Sequence, residues 1–317
     1  MKVTEHIAQA TKPFFSLEVL PPLKGESIDN LFKHIDPLME FKPPFIDVTY
    51  HREEFVYKKR ENGLLEKTSI RKRPGTVGIC AAIKHRYDVD TVPHIICGGF
   101  TKEETENALI DLNFLGITNV LVLRGDPIKS EPCFVPEPNG HHYAVDLIKQ
   151  VVNMNHGRYL ASEQENVFPT DFCIGAAGYP EKHFEDPNKK ADLRYLKQKI
   201  DSGANYIVTQ MFFDNQKYFD FVETCRNEGI NVPIIPGLKP ITTKNQVNLL
   251  PRLFYMDIPD ELVSEVEKCK DNAAAAQVGV EWAIQQSKEL VEFGVPCLHF
   301  YSMGKSASVQ KVAAAIF

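Results

Sequence analysis

The 317-residue chain lacks paired cysteines, long apolar runs and an excess of basic charge. Its seven cysteines are odd in number and never form a Cys-x-x-Cys pair, which favours reduced thiols in a cytosol over a disulfide framework. Several stand in apolar runs, where burial raises the pKa of a thiol, so we expect no catalytic cysteine. No apolar stretch approaches the roughly 20 residues of a membrane span, and residues 1–6 contain no signal-peptide core. We therefore expect a soluble, cytoplasmic protein without a membrane partner.

The charge balance is acidic, with a formal net charge of -6 and a pI near 6.0. Nucleic-acid binding depends on clustered Lys and Arg that release counterions from phosphates, so we expect no nucleic-acid partner. Two short basic runs, 58–60 and 71–73, have acidic neighbours and are interpreted as solvated loops. The chain also has no Gly-x-Gly-x-x-Gly motif that opens a helix after a strand, which argues against a Rossmann nucleotide site.

What the chain does contain is a regular alternation of short apolar runs with longer segments of helical period. This alternation is typical of a parallel sheet with crossover helices. Eight such units favour a single α/β domain over residues 1–317, folded as a (β/α)8 TIM barrel rather than an open sheet. The predicted strands are 14–20, 45–50, 92–97, 118–124, 172–178, 206–212, 232–237 and 297–302.

Local signals place several helix ends. Thr101 and Glu104 form a capping-box sequence, and Ser306 is a candidate cap for the last helix. Gly116 and Gly229 are candidate helix stops, and 273–293 is predicted to be one long helix.

Three connections exceed the usual length: 51–75, 126–142 and 155–170. The first two follow strand ends, so we expect them over the carboxyl-terminal face of the barrel. By the same topology we expect the third on the opposite face.

Glu18 is the most informative residue, because it stands alone among apolar neighbours in 14–22. Burial would raise the pKa of its carboxyl group, which is how a Glu becomes a proton donor near neutral pH. The alternative is an edge strand that lets Glu18 reach solvent. Polar residues recur at the carboxyl ends of other predicted strands, and in a closed barrel these ends ring one mouth. They are Thr49, Arg124, Gly125, Asp126, Tyr179, Gln210 and Tyr301, with His94 inside the third strand.

Five ordered motifs span nearly the whole chain and resemble those of the methylenetetrahydrofolate reductase family. They are Phe15-Ser16-Leu17-Glu18 with Pro21-Pro22, Asp47-Val48-Thr49-Tyr50, Leu123-Arg124-Gly125-Asp126, Tyr179-Pro180-Glu181-Lys182-His183 and Thr209-Gln210-Met211-Phe212-Phe213-Asp214. The resemblance implies a flavin-bearing barrel that passes hydride from NADH or NADPH through FAD to 5,10-methylenetetrahydrofolate, with ping-pong kinetics. The product, 5-methyltetrahydrofolate, would feed methionine synthesis and one-carbon metabolism. It also implies a homo-oligomer, either a dimer or a tetramer.

The resemblance also implies residue roles. Glu18 matches the general acid that opens the imidazolidine ring, and Asp126 matches a carboxylate between flavin and pterin. Gln210 matches a residue that orients the pterin, because an amide both donates and accepts hydrogen bonds. Tyr301 and Lys305 complete the expected substrate contacts, and no metal site is expected. The implied FAD contacts are Thr49, His94, Arg124, Gly125, Asp126, Tyr179, His183, Asp192 and Lys199.

Taken without the family, two of these assignments have simpler interpretations. His94 is then a core histidine, and Asp192 with Lys199 is a solvated i, i+7 pair on a helix surface. The whole chain also has alternatives: another FAD-bearing barrel oxidoreductase resembling proline dehydrogenase, or a non-catalytic folate-binding barrel. The choice between NADH and NADPH stays open.

Three features depart from the family pattern. The segment 240–246 has no aromatic residue, whereas many relatives place one near Lys244 to stack on substrate rings. Lys305 stands where relatives often have Arg, so it would meet the folate glutamate tail as a point charge rather than a bidentate fork. The chain stops at Phe317, where larger relatives continue into a regulatory domain that binds S-adenosylmethionine. We therefore expect no such regulatory domain and no inhibition by S-adenosylmethionine.

Overall fold

A closed ring of parallel strands forms the centre of the molecule. The computed structural model describes residues 1–128, 131–160 and 167–317, apart from the side chain of Phe55. The ring strands are β1 (Phe14–Val19), β2 (Phe45–Val48), β5 (Asp90–Ile96), β6 (Asn119–Leu123), β7 (Cys173–Gly178), β8 (Tyr206–Thr209), β9 (Ile234–Ile235), β10 (Gly237–Leu238) and β11 (Cys297–Tyr301). They pair in the order β10-β11-β1-β2-β5-β6-β7-β8-β9.

The ring closes through one interrupted strand position. β9 pairs with β8 and β10 pairs with β11, and only Pro236 separates the two short strands. Proline has no amide hydrogen to donate to the ladder, so the predicted strand 232–237 divides there. Eight strand positions therefore surround the axis, which confirms the predicted TIM barrel.

Helices cover the outside of the ring. They are α1 (Val3–Gln9), α2 (Asp29–Ile35), α3 (Thr76–Tyr87), α4 (Lys102–Phe114), α5 (Ala144–Asn155), α6 (Lys189–Asp201), α7 (Asn215–Asn227), α8 (Gln246–Phe254), α9 (Asp260–Lys268), α10 (Asn272–Phe293) and α11 (Ala307–Ile316). A 3-10 turn, Asp36–Phe41, follows α2. Among the described residues, none of these helices is long and apolar enough to cross a membrane.

Alternation along the strands separates two apolar layers. Outward residues such as Leu17 and Val48 pack in the large cluster beneath the helices. Inward residues near the strand starts, including Phe45, Val92 and Tyr206, form a second cluster inside the barrel. Val3 from α1 joins this inner cluster, so α1 covers the amino-terminal end of the barrel. Asn119 is a buried polar side chain at this amino-terminal end, where it bonds the backbone of Met1 and Val3.

The predicted helix ends are mostly confirmed. Thr101 Oγ1 accepts a hydrogen bond from the amide of Glu104 at 3.2 Å, and Glu104 Oε2 accepts one from the amide of Thr101 at 2.8 Å. Gly116 and Gly229 follow helices with φ of 66° and 75°, a region that glycine enters at little cost. Ser306 is different, because it precedes α11 in a helical conformation and makes no side-chain cap bond. The prediction of a Ser306 cap bond was therefore wrong.

The connection 51–75 is not a plain loop, because it contains an antiparallel hairpin. Its strands are β3 (Glu54–Lys59) and β4 (Leu65–Ile70), which pair with each other and not with the barrel. Lys58 and Lys59 therefore lie in a strand, although they are exposed as expected. Of the other two long connections, 129–130 and 161–166 lie outside the described residues.

Candidate active site

Two carboxylates and a histidine meet inside the barrel near its mouth. Glu18, Asp47 and His94 come from the adjacent strands β1, β2 and β5, and each points inward because its strand neighbours point outward. Glu18 Oε2 lies 3.5 Å from His94 Nε2, and Asp47 Oδ2 lies 3.7 Å from the same nitrogen. The Glu18 side chain is 15% exposed and that of Asp47 is 2% exposed. Glu18 is therefore an interior acid near the mouth rather than an edge-strand residue.

Burial controls the protonation of this cluster. It raises the pKa of Glu18 to about 7, an effect that His94 opposes and Asp47 reinforces. Burial likewise raises the pKa of Asp47 to about 7, with a smaller opposing effect of His299. The pKa of His94 is lowered, again by burial. Near neutral pH the cluster can therefore hold a proton on a carboxyl group and release it, which is what a general acid needs.

A second polar pair lies beside this cluster. Ser16 Oγ is hydrogen-bonded to His299 Nδ1 at 2.9 Å, and the two residues face each other across β1 and β11. His299 Nε2, His94 Nε2 and Asp47 Oδ1 are buried and have no hydrogen-bond partner among the described residues. Buried polar atoms are normally satisfied, so these atoms indicate an interior suited to a polar ligand or solvent.

Other predicted residues line the mouth. Tyr301 donates to the carbonyl of Thr209 at 2.5 Å, and Gln210 Oε1 accepts the amide of Met211 at 2.9 Å. Thr49 is buried, with Oγ1 3.3 Å from His51 Nε2. Lys305 is exposed on the connection after β11.

Asp126 is exposed and follows Gly125, whose φ of 85° turns the chain at the end of β6. Its charge helps to raise the pKa of Tyr179, after the larger effect of burial, so the two side chains lie on the same part of the rim. The described residues show no hydrogen bond or ion pair between Asp126 and Glu18. The two predicted catalytic acids are therefore separate groups, one at the rim and one inside.

Arg124, Tyr179 and His183 form a group beside Asp126. The ring centroids of Tyr179 and His183 lie 4.8 Å apart in an edge-to-face arrangement. Arg124 pairs with Glu185 at 2.5 Å and stacks over Phe134, 5.1 Å from its ring centroid. Burial, followed by the charge of Arg124, lowers the pKa of His183. A guanidinium and an imidazole held in this way can donate to an anionic or ring-edge acceptor of a bound cofactor.

The chain that carries His183 is folded around the ammonium group of Lys182. This group donates to the carbonyls of His183, Phe184 and Asp186 at 2.9, 3.3 and 2.6 Å. The backbone of Lys182 has φ of 150°, which L-residues rarely adopt. Lys182 and Glu185 were not among the predicted site residues. Only the contacts of the folded chain reveal their positioning role.

Asp192 is buried and Lys199 is half-buried, and both are bonded to backbone groups, so the interpretation as a solvated helix pair was wrong. Asp192 accepts the amide of His183 at 3.2 Å, and burial raises its pKa to about 6. Lys199 donates to the carbonyl of Ala177 at 2.7 Å, and burial lowers its pKa. Both residues lie on α6 and support the ends of neighbouring backbone segments, which places His183 and Tyr179.

Sequence reasoning missed Asp47 and Lys239. Asp47 stands in the apolar run 45–48 just as Glu18 stands in its own, so the same rule could have identified it. Lys239 follows β10 and is only 5% exposed. Side chains alternate along a strand, so residues 235, 237 and 239 share the inward face, and this rule would have placed Lys239 in the mouth.

Among the described residues, no three His, Cys, Asp or Glu side chains are grouped so as to hold a metal ion. All seven cysteines are free, and burial raises the pKa of Cys80 and Cys297. A cavity of about 510 Å³ lies between α7 and α10, away from the barrel mouth, and is lined by residues that include Asn215, Trp282 and Glu289.

Known proteins of one family are similar to this chain over nearly its whole length. The family described as methylenetetrahydrofolate reductase matches residues 2–316. The chain is 31% identical to a probable methylenetetrahydrofolate reductase (NADPH) of Caenorhabditis elegans, over 97% of this chain and 43% of that protein. It is 30% identical to 5,10-methylenetetrahydrofolate reductase of Escherichia coli, over 92% of this chain and 86% of that protein. The chain thus spans less than half the length of the first relative and most of the second.

A solved structure supports the fold alone. An uncharacterized protein from Clostridium thermocellum, which binds two copies of 5-methyl-5,6,7,8-tetrahydrofolic acid, superimposes with a TM-score of 0.58. The alignment covers 98% of this chain and 97% of that chain at 16% identity.

Proposed function

The chain belongs to the methylenetetrahydrofolate reductase family, and we propose that it reduces 5,10-methylenetetrahydrofolate to 5-methyltetrahydrofolate with NADH or NADPH as hydride donor. The observation that carries this proposal is Glu18 inside the barrel, with a side chain 15% exposed and a pKa of about 7. The reaction adds one hydride to the methylene carbon and one proton to N10 of the folate. Glu18 supplies the proton, which opens the five-membered ring and leaves an iminium carbon that accepts hydride.

The residues around Glu18 suit it to this task. His94 lies within ion-pair distance and limits how far burial can raise the pKa of Glu18. Ser302 Oγ donates to the backbone carbonyl of Glu18 at 2.7 Å, which fixes the end of β1. The acid is therefore held on a rigid strand, with a pKa that leaves it partly protonated at neutral pH.

For the cofactor, we propose FAD, which takes up and delivers the hydride when bound. The donor set at the rim fits it: Arg124 suits the ring edge and His183 suits the pyrophosphate. Asp192 and Lys199 hold this region in place, and both stay proposed as FAD contacts. Thr49, His94, Gly125, Asp126 and Tyr179 complete the proposed FAD contacts.

The same mouth would admit folate and the nicotinamide in turn, which would give ping-pong kinetics. Asp126 would then face both flavin and pterin from the rim, and Gln210 would orient the pterin. Tyr301 stays proposed as a substrate contact. A homo-oligomeric state and a cytoplasmic location stay predictions from the sequence.

The test separates the two half-reactions by an anaerobic visible spectrum of FAD-supplemented protein. For the wild type, NADH should bleach the flavin band, and methylenetetrahydrofolate should restore it. Glu18→Gln should keep the bleaching and lose the restoration, because only the second step needs the proton. Glu106→Gln is the matched control, because Glu106 is a buried acid on α4 that accepts the amide of Leu160 far from the mouth. If Glu18→Gln loses bleaching and restoration equally, Glu18 is not the acid of the second step. If the wild type shows no flavin band, a non-catalytic binding protein is favoured.

A further inference from the structure

Lys239 is a buried lysine to which the described residues offer no hydrogen-bond or ion-pair partner. Its side chain is 5% exposed, between Leu238 of β10 and Pro240. Among the described residues it makes no ion pair with any carboxylate, and no side-chain hydrogen bond of its ammonium is present. Two half-buried lysines of this chain are satisfied, since Lys199 and Lys182 both donate to backbone carbonyls.

Strand alternation places Lys239 in the barrel mouth. A Cβ on Gly237 would touch the ring of Tyr301, so position 237 faces inward. Leu238 packs in the outer cluster beneath the helices, so position 238 faces outward. Position 239 therefore faces inward again, one level above Gly237. It lies at the same end of the barrel as Glu18 and Tyr301.

A second cation lies close to it. The charge of Lys305, on the connection after the neighbouring strand β11, acts together with burial to lower the pKa of Lys239 to about 8. At pH 7 about nine-tenths of the molecules still carry the charge. An ammonium on an enclosed stem, beside another cation and without a carboxylate partner among the described residues, gains most when an anion approaches it.

We propose that Lys239, together with Lys305, binds an oxyanion carried by a ligand that enters the mouth. This inference rests on the proposed function, in which each substrate carries such a group. Folate carries the carboxylates of its glutamate tail, and the dinucleotide carries its pyrophosphate. Lys239 is then the buried half of the anion site and Lys305 the exposed half. Lys239 fixes the position of the anion, because its stem is enclosed and its ammonium has few alternative positions.

The test compares charged ligands with truncated ones on FAD-supplemented protein by titration calorimetry. One pair is 5-methyltetrahydrofolate and 5-methyltetrahydropteroate, which lacks the glutamate. The other pair is NADH and reduced nicotinamide riboside, which lacks phosphate. Lys239→Met should weaken binding of one charged ligand by about 10- to 100-fold and leave its truncated partner unchanged. Lys149→Met, on the exposed surface of α5, is the control for a lost positive charge.

The folate pair and the dinucleotide pair of ligands distinguish the two possible sources of the oxyanion. A loss confined to folate assigns the site to a carboxylate, and a loss confined to NADH assigns it to a phosphate. Unchanged affinity for both charged ligands, or equal loss for charged and truncated ligands, overturns the inference. A wild type that binds neither folate nor pteroate overturns the proposed function, while the dinucleotide arm still tests Lys239.

Folding provides an independent measurement. Lys239→Met keeps most of the apolar stem and removes an unpaired charge, so the ligand-free variant should melt at a higher temperature than the wild type. The rise in melting temperature on adding the charged ligand should shrink in the same variant. If Lys239→Met does not fold, Lys239→Gln and the exposed Lys305→Met supply the same comparison. A lower melting temperature together with a full ligand-induced rise would show a structural lysine instead.

Discussion

Replacing Asp47 with Asn should move the pH dependence of folate reduction to lower pH. Asp47 Oδ2 and Glu18 Oε2 lie 3.7 and 3.5 Å from the same nitrogen of His94, so the two oxygens are at most about 7 Å apart. At that distance and an effective dielectric constant of about 20, two full charges repel by about 2 kcal/mol. This energy corresponds to about 1.5 pKa units.

The full shift in the pKa of Glu18 is not expected at neutral pH, because the pKa of Asp47 is itself about 7 and Asp47 is ionised in only part of the molecules there. We therefore expect the pKa of Glu18 to fall by roughly one unit, from about 7 toward 6. Glu18 donates its proton only while it is protonated. The rate of flavin reoxidation by methylenetetrahydrofolate should then decline with rising pH about one unit earlier in the variant than in the wild type.

Anaerobic stopped-flow measurement of each half-reaction between pH 5 and pH 9 would test this. Reduction of the flavin by NADH provides the internal control, since it needs no proton from Glu18. Glu106→Gln should leave both profiles in place. A profile for Asp47→Asn that stays in place or moves to higher pH would show that the two carboxylates do not interact as the geometry indicates.

Three further changes have directions fixed by the structure. Folding raises the pKa of Asp47 from 3.8 to about 7, so ionisation of Asp47 lowers stability progressively as pH rises through this range. Between pH 5 and pH 8 this loss is about 3 kcal/mol, so Asp47→Asn should raise the free energy of unfolding in urea more at pH 8 than at pH 5, by about that amount. Gly237→Ala should lower the free energy of unfolding in urea by about 1–3 kcal/mol, because its Cβ would lie 2.3 Å from a backbone carbonyl oxygen. The control is Gly78→Ala in α3, which should be neutral or stabilising because its Cβ would meet nothing within 4 Å. Lys199→Met should weaken FAD binding, measured by flavin fluorescence, without changing the folate contacts of the loaded protein.

The barrel could be predicted because its signal is local and repeated. Each strand is a short apolar run and each helix has its own period, so eight independent observations agree on one architecture. The hairpin inside 51–75 gave no comparable signal, since its strands are mostly exposed and carry many charged residues. An isolated two-stranded ribbon buries too little apolar surface to produce an alternating pattern.

A site residue could be predicted where its polarity differed from that of its neighbours in the sequence. It could not be predicted where its burial depends on contacts with residues distant in the sequence. Glu18 stood out in its strand, and the structure does place it inside the barrel. Asp192 and Lys199 looked like ordinary helix-surface charges, because the sequence does not show that α6 turns this face toward the backbone of β7 and of 182–186. The pairing of Arg124 with Glu185 likewise joins positions 61 residues apart.

Lys239 and Lys305 show how far beyond the last hydrogen-bonded residue of a strand the alternation of side-chain direction still predicts which way a residue faces. Both lysines follow strands that pair with each other. Lys239 is the first residue after β10 and keeps the inward phase of Gly237, whereas Lys305 is four residues beyond β11, where the chain has already turned at Gly304 with φ of 76°. The phase of a strand therefore predicts the direction of its next residue but not of residues beyond a turn. Strand phase therefore predicts the inward direction of Lys239 and does not predict the direction of Lys305.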